Sequence, residues 1–301
     1  MPELPEVETV RTGLHQAWVG RTITKLTLRR EGLRFPFPEN MVQRLTGQKI
    51  TDVRRRAKYL LIDTSDGIVF LSHLGMSGRY TLITASETPR YLGVDSSPHL
   101  SKFGELTGFD GRHDHMEFQF DDGSVAVYTD PRRFGIADLF ERAEEPIQSL
   151  LEHLGPEPLE QWTAQDAADR CKGKRSPIKT TLLDQRFVVG VGNIYACEAL
   201  YRSGISPIRP THKLVRKDGK PTKALTELVV QVKEVLKAAI AVGGSTLNDF
   251  AAVDGTLGYF GHHFQVYDRE DGPCLKEGCN GTIERIVQSN RSTFLCPRCQ
   301  K

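Results

Sequence analysis

The chain has 301 residues, of which 39% are apolar and 26% charged, and its formal net charge is +2. This length and apolar content predict two domains and a small additional module. No apolar stretch approaches the ~18 residues of a membrane span, and no apolar segment follows Met1, so we expect neither a signal peptide nor an anchor, and a cytoplasmic protein. A charge this close to neutral does not by itself indicate a nucleic-acid partner.

The chain starts with a proline directly after the initiator, Met1-Pro2. Removal of Met1 would expose a secondary amine. Because α-amino groups have reference pKa values of about 7.7–8, part of this amine would be unprotonated at neutral pH. A secondary amine that attacks an aldehyde-like carbon forms a cationic iminium, which promotes elimination at the neighbouring carbon. Pro2 is therefore a candidate nucleophile.

A short helix is predicted directly after this amine. Pro5 suits the first helical turn, because its missing N–H costs nothing there. The apolar face of this helix contains Val7, Val10 and Leu14. Glu3 lies just before the helix and Glu6 in its first turn, so two carboxylates near one amine can act as general acid and base. The alternative is an ordinary exposed N-terminus before a helix that starts with proline.

Strand patterns dominate the chain from about residue 21 to residue 140. Apolar and polar residues alternate at 22–28 and 116–120, an apolar run covers 68–71, and a turn at 121–124 precedes another apolar run at 125–128. These patterns predict a β-sandwich or a β-barrel. Residues 84–111 lack periodicity and indicate a surface insertion.

Basic residues are unevenly distributed along the chain. They cluster at residues 54–58, at Arg132 and Arg133, and at Lys172, Lys174, Arg175 and Lys179. Runs of charged residues usually form ordinary solvent-exposed surface. These clusters are therefore only weak evidence for a surface that binds phosphates.

A helical pattern begins after residues 155–158, where we expect a domain boundary. The clearest helix has apolar residues three and four apart between Leu225 and Ile240, and it stops at Gly243 and Gly244. Residues 181–187 are predicted to be helical and 188–192 to form a glycine turn. Asn193 is predicted to cap a helix whose apolar face contains Ile194, Cys197, Leu200 and Tyr201. A helix, a glycine turn and a helix fit DNA binding, because helix N-termini bind phosphate; a plain helical hairpin is the alternative.

Four of the six cysteines follow the pattern Cys274-x4-Cys279-x16-Cys296-x2-Cys299. Two tight turns that each supply two thiolates are typical of a four-cysteine zinc ribbon. Disulfides are the alternative, but thiols stay reduced in the cytosol, so we predict a zinc site. The remaining thiols, Cys171 and Cys197, are predicted to be inert core residues.

Six motifs occur along the chain in a defined order. They are PELPEVET at 2–9, RRAKYL at 55–60, HLGMSG at 73–78, TDPRRFG at 129–135, VGNIYA at 191–196 and the four-cysteine ribbon. With these motifs the chain resembles the bacterial formamidopyrimidine-DNA glycosylases over its whole length, apart from residues 84–111.

The resemblance implies an α+β multi-domain fold. It consists of an N-terminal β-sandwich with a catalytic N-terminal helix, a C-terminal helical domain with a helix-two-turn-helix motif, and a zinc-ribbon β-hairpin. We expect these parts at residues 1–145, 161–263 and 264–301, with a linker at 146–160 and the insertion at about 84–111.

The resemblance also implies a DNA-repair enzyme. It would remove oxidised purines, such as 8-oxoguanine and formamidopyrimidines, and then cleave the strand by β- and δ-elimination. Pro2 would attack the sugar C1′ and form the iminium, Glu3 would act as acid and base on the sugar ring, and Glu6 would support the proton movements. Lys58 matches the residue associated with β-elimination. Arg291, in the hairpin of the ribbon, matches the residue linked to δ-elimination and phosphate binding.

Extrusion of a damaged base leaves a gap in the duplex that the enzyme must fill. The resemblance implies that Met76 and Phe134 are the apolar wedges and that Arg132 contacts the widowed cytosine. Judged by residue type alone, the alternative is that Met76 and Phe134 are core residues and that Arg132 is an ordinary surface residue. The positioning contacts to phosphates that the resemblance implies come from His113, Lys174, Lys179 and Asn193, with His73 as a further candidate.

The cofactor implied is one structural Zn²⁺ per chain. The partner implied is double-stranded DNA that contains oxidised bases or abasic sites, bound by a monomer in the bacterial cytoplasm, at the nucleoid and not at a membrane. Two features depart from the family: the first cysteine pair is separated by four residues rather than the common two, and residues 84–111 are inserted. The glycine-rich residues 251–259 are a hypothesis for the loop that contacts the flipped base.

Two other functions fit parts of the same pattern. A relative of endonuclease VIII would share the proline, the helix pair and the ribbon but remove oxidised pyrimidines, whereas Met76, Arg132 and Phe134 favour the purine-specific branch. A non-catalytic protein that binds damaged DNA would use the same DNA-binding parts without the reactive amine.

Overall fold

The structure is a computed structural model, and it describes residues 2–83, 90–93, 112–245 and 260–301. The predicted recognition loop at 251–259 and most of the predicted insertion lie outside the described residues. Contacts divide the chain into two compact units. We call Met1–Glu152 with Val242–Tyr259 the N-terminal unit, and His153–Ala241 with Phe260–Lys301 the C-terminal unit.

The N-terminal unit begins with the predicted helix, α1 (Leu4–Trp18), which has Pro5 in its first turn. Its apolar residues recur every three or four positions, so they form one stripe that can be buried. Val7, Val10 and Leu14 all lie in the core, which confirms the predicted face.

Two antiparallel sheets form the rest of this core. One has the strand order β1-β7-β8-β5-β6 and the other has the order β2-β3-β4-β9. The strands are β1 (Ile23–Leu28), β2 (Ile50–Arg56), β3 (Tyr59–Thr64), β4 (Ile68–His73), β5 (Arg79–Ile83), β6 (Arg90–Gly93), β7 (Asp114–Phe120), β8 (Val125–Thr129) and β9 (Ile136–Glu141), with a short helix α2 (Met41–Leu45). Buried side chains of both sheets share one cluster with α1, so of the two predicted architectures the sandwich is the one observed.

The predicted insertion contains one described strand. β6 pairs with β5 at the edge of the first sheet, in the register Arg79↔Gly93 to Leu82↔Arg90. The sequence pattern did not predict this strand, because four residues are too few for an alternating pattern to be recognised. A 3₁₀ helix (Arg142–Ile147) follows β9.

The C-terminal unit is mainly helical. Its helices are α3 (Ala164–Cys171), α4 (Ile178–Leu183), α5 (Asn193–Arg202) and α6 (Lys223–Ala241), with 3₁₀ helices at Thr211–Leu214 and Phe260–His263. α6 confirms the predicted long helix. No helix within the described ranges is both long and apolar enough to cross a membrane.

The boundaries of two helices differ from the predictions. α4 begins at Ile178 because Pro177, which lacks an N–H, precedes it as the N-cap residue, and it ends before Asp184, whose backbone is extended. α5 has Gly192 as its N-cap residue and Asn193 as its first helical residue. The prediction that Asn193 caps this helix is therefore wrong, and its side chain is available for another contact.

The C-terminal unit ends in a two-stranded hairpin, β10 (Glu284–Gln288) and β11 (Arg291–Leu295). Ser289 and Asn290 connect the strands with φ values of 49° and 59°. Two left-handed residues match the twist of a tight hairpin, and Asn tolerates this conformation well. Arg291 therefore stands directly after the turn, where its side chain is exposed.

Candidate active site

The peptide that joins Pro2 to Glu3 is positioned by a hydrogen-bond cluster around Glu6. Oε2 of Glu6 accepts from the Glu3 N–H at 2.8 Å, which fixes the peptide that follows Pro2. Oε1 accepts from the backbone N–H and the hydroxyl of Ser245, at 2.8 and 3.0 Å. Pro2, Glu3 and Glu6 are all buried. Glu6 therefore holds the start of α1 against a segment 239 residues away.

Gly244 makes this contact possible. Its φ is +91°, and a Cβ at this position would lie 2.9 Å from Oε1 of Glu6. A side chain would be both strained and crowded, so glycine is required here for two separate reasons. The sequence pattern indicated only that Gly244 belongs to the stop after the long helix α6.

Lys58 lies in the turn between β2 and β3, after Ala57 with φ 54°. Arg55 connects this turn to α1: its Nε donates to Oε2 of Glu8 at 2.8 Å, and its Nη1 donates to the Ala57 carbonyl at 2.9 Å. The Lys58 side chain is only 7% exposed. Arg55, one residue of the arginine run that precedes Lys58, thus links this turn to α1.

His73 ends β4 and packs its ring 4.9 Å from the ring of Tyr59. Burial lowers the pKa of His73 to about 4, and the positive charges of Lys58 and Arg34 add to this effect. Its Nδ1 accepts from the Gly75 N–H at 3.0 Å, so the remaining proton is on Nε2. His73 is therefore neutral at pH 7 and can offer a phosphate one N–H donor. Arg34, beside it, was missed because nothing in the local sequence distinguishes it from other surface arginines.

The three predicted wedge residues lie on two loops, 74–78 and 130–135. Met76 is 37% and Phe134 45% exposed, so the alternative of core residues is wrong for both. The Arg132 guanidinium lies over the Phe134 ring, 4.8 Å from its centroid, as in a cation–π pair. Large apolar side chains that remain exposed at loop tips are typical of binding surfaces.

His113 lies directly before β7 and is half-buried, and its carbonyl accepts from the Asp130 N–H at 2.9 Å. His115 is fully buried, and its Nε2 lies 2.8 Å from the Asp130 carbonyl. A carbonyl only accepts, so Nε2 of His115 donates. His115 thus has a structural role, while the His113 side chain keeps a partly exposed position.

In the C-terminal unit, Lys179 and Asn193 both bind the hairpin. Nζ of Lys179 donates to the Ser292 carbonyl at 3.1 Å and to Oγ1 of Thr293 at 2.5 Å. Nδ2 of Asn193 donates to the same Ser292 carbonyl at 2.9 Å. Lys179 is fully buried. Both side chains hold the residue next to Arg291. The phosphate contacts that the resemblance implies for Lys179 and Asn193 stay predictions.

Lys174 is half-buried in the short connection after α3. Its ammonium lies 5.6 Å from the centre of the Phe187 ring. Its contact to a phosphate stays a prediction, as does that of His113.

The four ribbon cysteines converge, with their sulfur atoms all within 4.8 Å of one another. The Sγ–Sγ distances are 3.8 Å for Cys274–Cys299 and 3.8 Å for Cys279–Cys296. A tetrahedral zinc ion with Zn–S bonds of ~2.3 Å requires sulfur atoms ~3.8 Å apart. The disulfide alternative is wrong, because the cysteines are not bonded to one another. The donor set fits one structural Zn²⁺, and the four-residue spacing of the first pair does not prevent it.

α5 contributes two contacts to this module that the sequence did not reveal. The carboxylate of Glu198, fully buried, accepts from the backbone N–H groups of Gln265, Val266 and Tyr267 at 2.9 to 3.1 Å. The Tyr201 hydroxyl lies 3.1 Å from Sγ of Cys274. A buried carboxylate needs such donors, and here they order the segment that leads into the ribbon.

The two remaining thiols behave as predicted. Cys171 and Cys197 are buried, and burial raises the pKa of the Cys171 thiol to about 12. A protonated buried thiol is a poor nucleophile and metal ligand.

Three protein-family models match the chain. They are the formamidopyrimidine-DNA glycosylase N-terminal domain over residues 1–137, the formamidopyrimidine-DNA glycosylase H2TH domain over 154–251, and a zinc finger found in FPG and IleRS over 272–301. The formamidopyrimidine-DNA glycosylase of Sinorhizobium fredii is 49% identical over 307 residues, and that of Allorhizobium ampelinum is 47% identical over 308. Each alignment covers 100% of both chains.

Solved structures from Lactococcus lactis have the same fold. Fpg in complex with DNA that contains an abasic site has a TM-score of 0.82 and 30% identity, with 99% of each chain covered. An FPG variant with DNA that contains Fapy-dG has a TM-score of 0.82, and wild-type FPG with DNA that contains an oxidised pyrimidine has one of 0.81; both are 30% identical with 100% of each chain covered. Because family models match all three parts of the chain and full-length relatives are close to half identical, the chain belongs to the formamidopyrimidine-DNA glycosylase family, whose members are DNA glycosylases with AP-lyase activity.

Proposed function

We propose that this glycosylase removes oxidised purines, including 8-oxoguanine and formamidopyrimidines, from duplex DNA with the Pro2 amine as its nucleophile. The observation that carries the assignment is the Glu6 cluster, which fixes the peptide after Pro2 at the start of α1. Such a cluster serves a reactive amine, because a nucleophile must be held in one orientation to act efficiently. The activity requires that Met1 has been removed.

The base is released by substitution at the sugar. The Pro2 nitrogen attacks C1′ with its lone pair, the C1′–N bond to the base breaks, and the base leaves with that electron pair and a proton. Glu3 protonates the sugar ring oxygen, which opens the ring and gives the iminium between C1′ and Pro2. Glu6 has both oxygens occupied by N–H and O–H donors, so its contacts support a role in positioning Glu3 and Pro2 rather than in carrying protons itself.

Strand cleavage follows from the same iminium. Loss of a C2′ proton expels the 3′ phosphate by β-elimination, and a second elimination expels the 5′ phosphate. Lys58 serves the first elimination, and Arg291 serves the second as a positive charge at the leaving phosphate. The turn held by Arg55 supports the first role, and the exposed position directly after the hairpin turn supports the second.

Access to the damaged nucleotide requires that the base leave the duplex, which costs a few kcal/mol. Met76, Arg132 and Phe134 fill the gap, with the Arg132 guanidinium facing the acceptor groups of the unpaired base. His73, His113, Lys174 and Asn193 contact phosphates and set the register of the DNA without reading its sequence. Lys179 contributes to the same surface by holding the hairpin. We also propose that the enzyme acts in the cytoplasm, because its substrate is bacterial chromosomal DNA.

The decisive test is borohydride trapping on a duplex that contains 8-oxoguanine opposite cytosine. Borohydride reduces the iminium and leaves the protein bound covalently to the DNA. We expect an adduct with the Met1-processed enzyme, no adduct with Pro2→Gly, and strongly reduced adduct with Glu3→Gln. The absence of an adduct with processed, folded enzyme would instead support a protein that only binds damaged DNA.

The purine preference needs its own measurement, since an L. lactis relative has been crystallised with DNA that contains an oxidised pyrimidine. Single-turnover excision should be compared on duplexes that contain 8-oxoguanine and thymine glycol. Faster excision of 8-oxoguanine is expected. A clear preference for thymine glycol would favour the endonuclease VIII-like function.

A further inference from the structure

The two loops that carry the wedge residues are joined by one buried carboxylate. Asp130 is 0% exposed. Its Oδ1 accepts from the Ser77 hydroxyl at 2.6 Å, and its Oδ2 accepts from the Gly135 N–H at 2.8 Å. One oxygen therefore binds the loop of Met76, and the other binds the loop of Arg132 and Phe134.

Ser77 makes a second contact across the same junction. Its Oγ accepts from the backbone N–H of Arg132 at 3.2 Å while its proton is donated to Asp130. The hydroxyl thus acts as donor and acceptor at once, and both partners belong to the opposite loop. Ser77 directly follows Met76 in the chain, so each bond it makes also restrains that wedge.

The loops also touch directly at Gly75. A Cβ there would lie 2.4 Å from the carbonyl carbon of Phe134, and the φ of Gly75 is +63°. On its other side, Asp130 is held through its carbonyl by His115 and Arg133, at 2.8 and 3.2 Å. Movement of one loop relative to the other would break the bond from Ser77 to Asp130 and the bond from the Arg132 N–H to Ser77.

We propose that Ser77 is a positioning residue for base extrusion, and that through Asp130 it aligns Met76 with Arg132 and Phe134 so that the three side chains enter the duplex as one rigid wedge. The proposal rests on the wedge role given under the proposed function. Its physical reason is that a wedge ordered in advance loses less conformational entropy on insertion than two independent loops. Ser77 touches neither the DNA sugar nor Pro2 in this role and acts only through its neighbours.

Ser77→Ala tests the proposal in single-turnover assays on two substrates. We expect excision of 8-oxoguanine from duplex DNA to fall by about tenfold, the effect of losing one hydrogen bond to a charged acceptor. Cleavage of an abasic site in single-stranded DNA should be unchanged, since no duplex has to be opened, and it also reports that the protein is folded. Ser77→Thr keeps the hydroxyl and should restore duplex excision. An equal loss on both substrates would overturn the proposal.

Ser65→Ala is the matched control. Ser65 lies in the same unit, and its hydroxyl donates to Gln48 and accepts from the Lys49 N–H, at 3.1 and 3.3 Å, away from the wedge loops. Like Ser77, it donates to a side-chain oxygen and accepts from a backbone N–H, but it contacts neither wedge loop, so its removal should leave duplex excision unchanged.

A double-mutant cycle distinguishes this proposal from the wedge assignment itself. In a Met76→Ala/Phe134→Ala background, Ser77→Ala should have little further effect, because both apolar wedge side chains that it aligns with Arg132 are gone. Additive losses would overturn the positioning role. Unchanged duplex excision in the Met76→Ala/Phe134→Ala enzyme would instead overturn the wedge role on which the proposal rests.

Discussion

Among single residues, two charged side chains have structural roles because they form hydrogen bonds to residues far away in the sequence. Glu6 was predicted to support proton movements, and Lys179 to contact a phosphate. In the structure, Glu6 binds Ser245 and Lys179 binds the Ser292 carbonyl, 239 and 113 residues away. A buried charge that satisfies several backbone groups is costly to replace, because those groups lose their partners at the same time. Their identities are therefore constrained by the fold as well as by the reaction.

His73 gives a pH-dependent prediction at this scale. Its folded pKa of about 4 lies below the ordinary value of about 6.5. Between these values the unfolded chain takes up a proton that the folded chain does not, so the free energy of unfolding falls as the pH falls through this window. His73→Gln cannot titrate and should lose less stability than the wild type between pH 7 and pH 4.5, as measured by denaturant unfolding. Equal losses in the two proteins would contradict the assignment of a neutral His73.

At the scale of elements, α5 is the helix that organises the zinc module. Asn193 in its first turn binds the Ser292 carbonyl, Glu198 binds three backbone N–H groups at 265–267, and Tyr201 contacts Cys274. These residues lie five and three positions apart. Successive turns of one helix therefore contact the hairpin, residues 265–267 and the cysteine cluster. The helix thus determines where the hairpin presents Arg291.

Replacement of Lys179 by methionine tests this anchoring. Lys179→Met removes the donor to the buried Thr293 hydroxyl and leaves the Ser292 carbonyl with the Asn193 amide as its donor, and we expect a loss of about 1–3 kcal/mol in the free energy of unfolding. Lys172→Met is the control, because Lys172 forms an exposed pair with Asp169 at 2.7 Å, and solvent screens such a pair so that it contributes little to stability. Denaturant titration of both variants gives the comparison. Similar small losses would show that Lys179 is not an anchor.

In the whole molecule, the proposed site residues are divided between the two units. The N-terminal unit contains Pro2, Lys58 and the loops 74–78 and 130–135, whereas the C-terminal unit contains Asn193, Arg291 and the four ribbon cysteines. Each unit has a buried cluster of its own. Damage to one core should therefore leave the other folded.

Zinc removal tests that independence. Chelation should expose the hairpin, Glu284–Leu295, to hydrogen exchange and abolish duplex binding, while exchange in β3 and β4 stays unchanged, because a ribbon this small relies on its metal for stability. Cys299→Ser should lose zinc, and Cys171→Ser, which alters a buried thiol outside the cluster, should retain one zinc per chain by metal analysis. A uniform rise in exchange across both units would contradict the prediction.

Much of the fold was predictable from local patterns. α1, α6 and the strands at 68–71, 116–120 and 125–128 follow directly from periodicity, because the side that faces a core must be apolar at every helical or strand repeat. The zinc ligands were predictable for a similar reason, since each ligand pair lies within one turn. β6 and the start of α4 were not, because four residues show no period and a proline boundary is ambiguous by one or two positions.

The groups proposed to carry the reaction can be recognised in the sequence alone: a proline that can become the N-terminal amine, two carboxylates beside it, four thiolates in pairs, and six motifs in the order of one glycosylase family. How these groups are held follows only from the folded chain. The bonds of Glu6 to Ser245, of Lys179 to Ser292 and of Ser77 to Asp130 join residues 53 to 239 positions apart. Local patterns carry no information about such pairs, because the partners meet only when separate elements pack together.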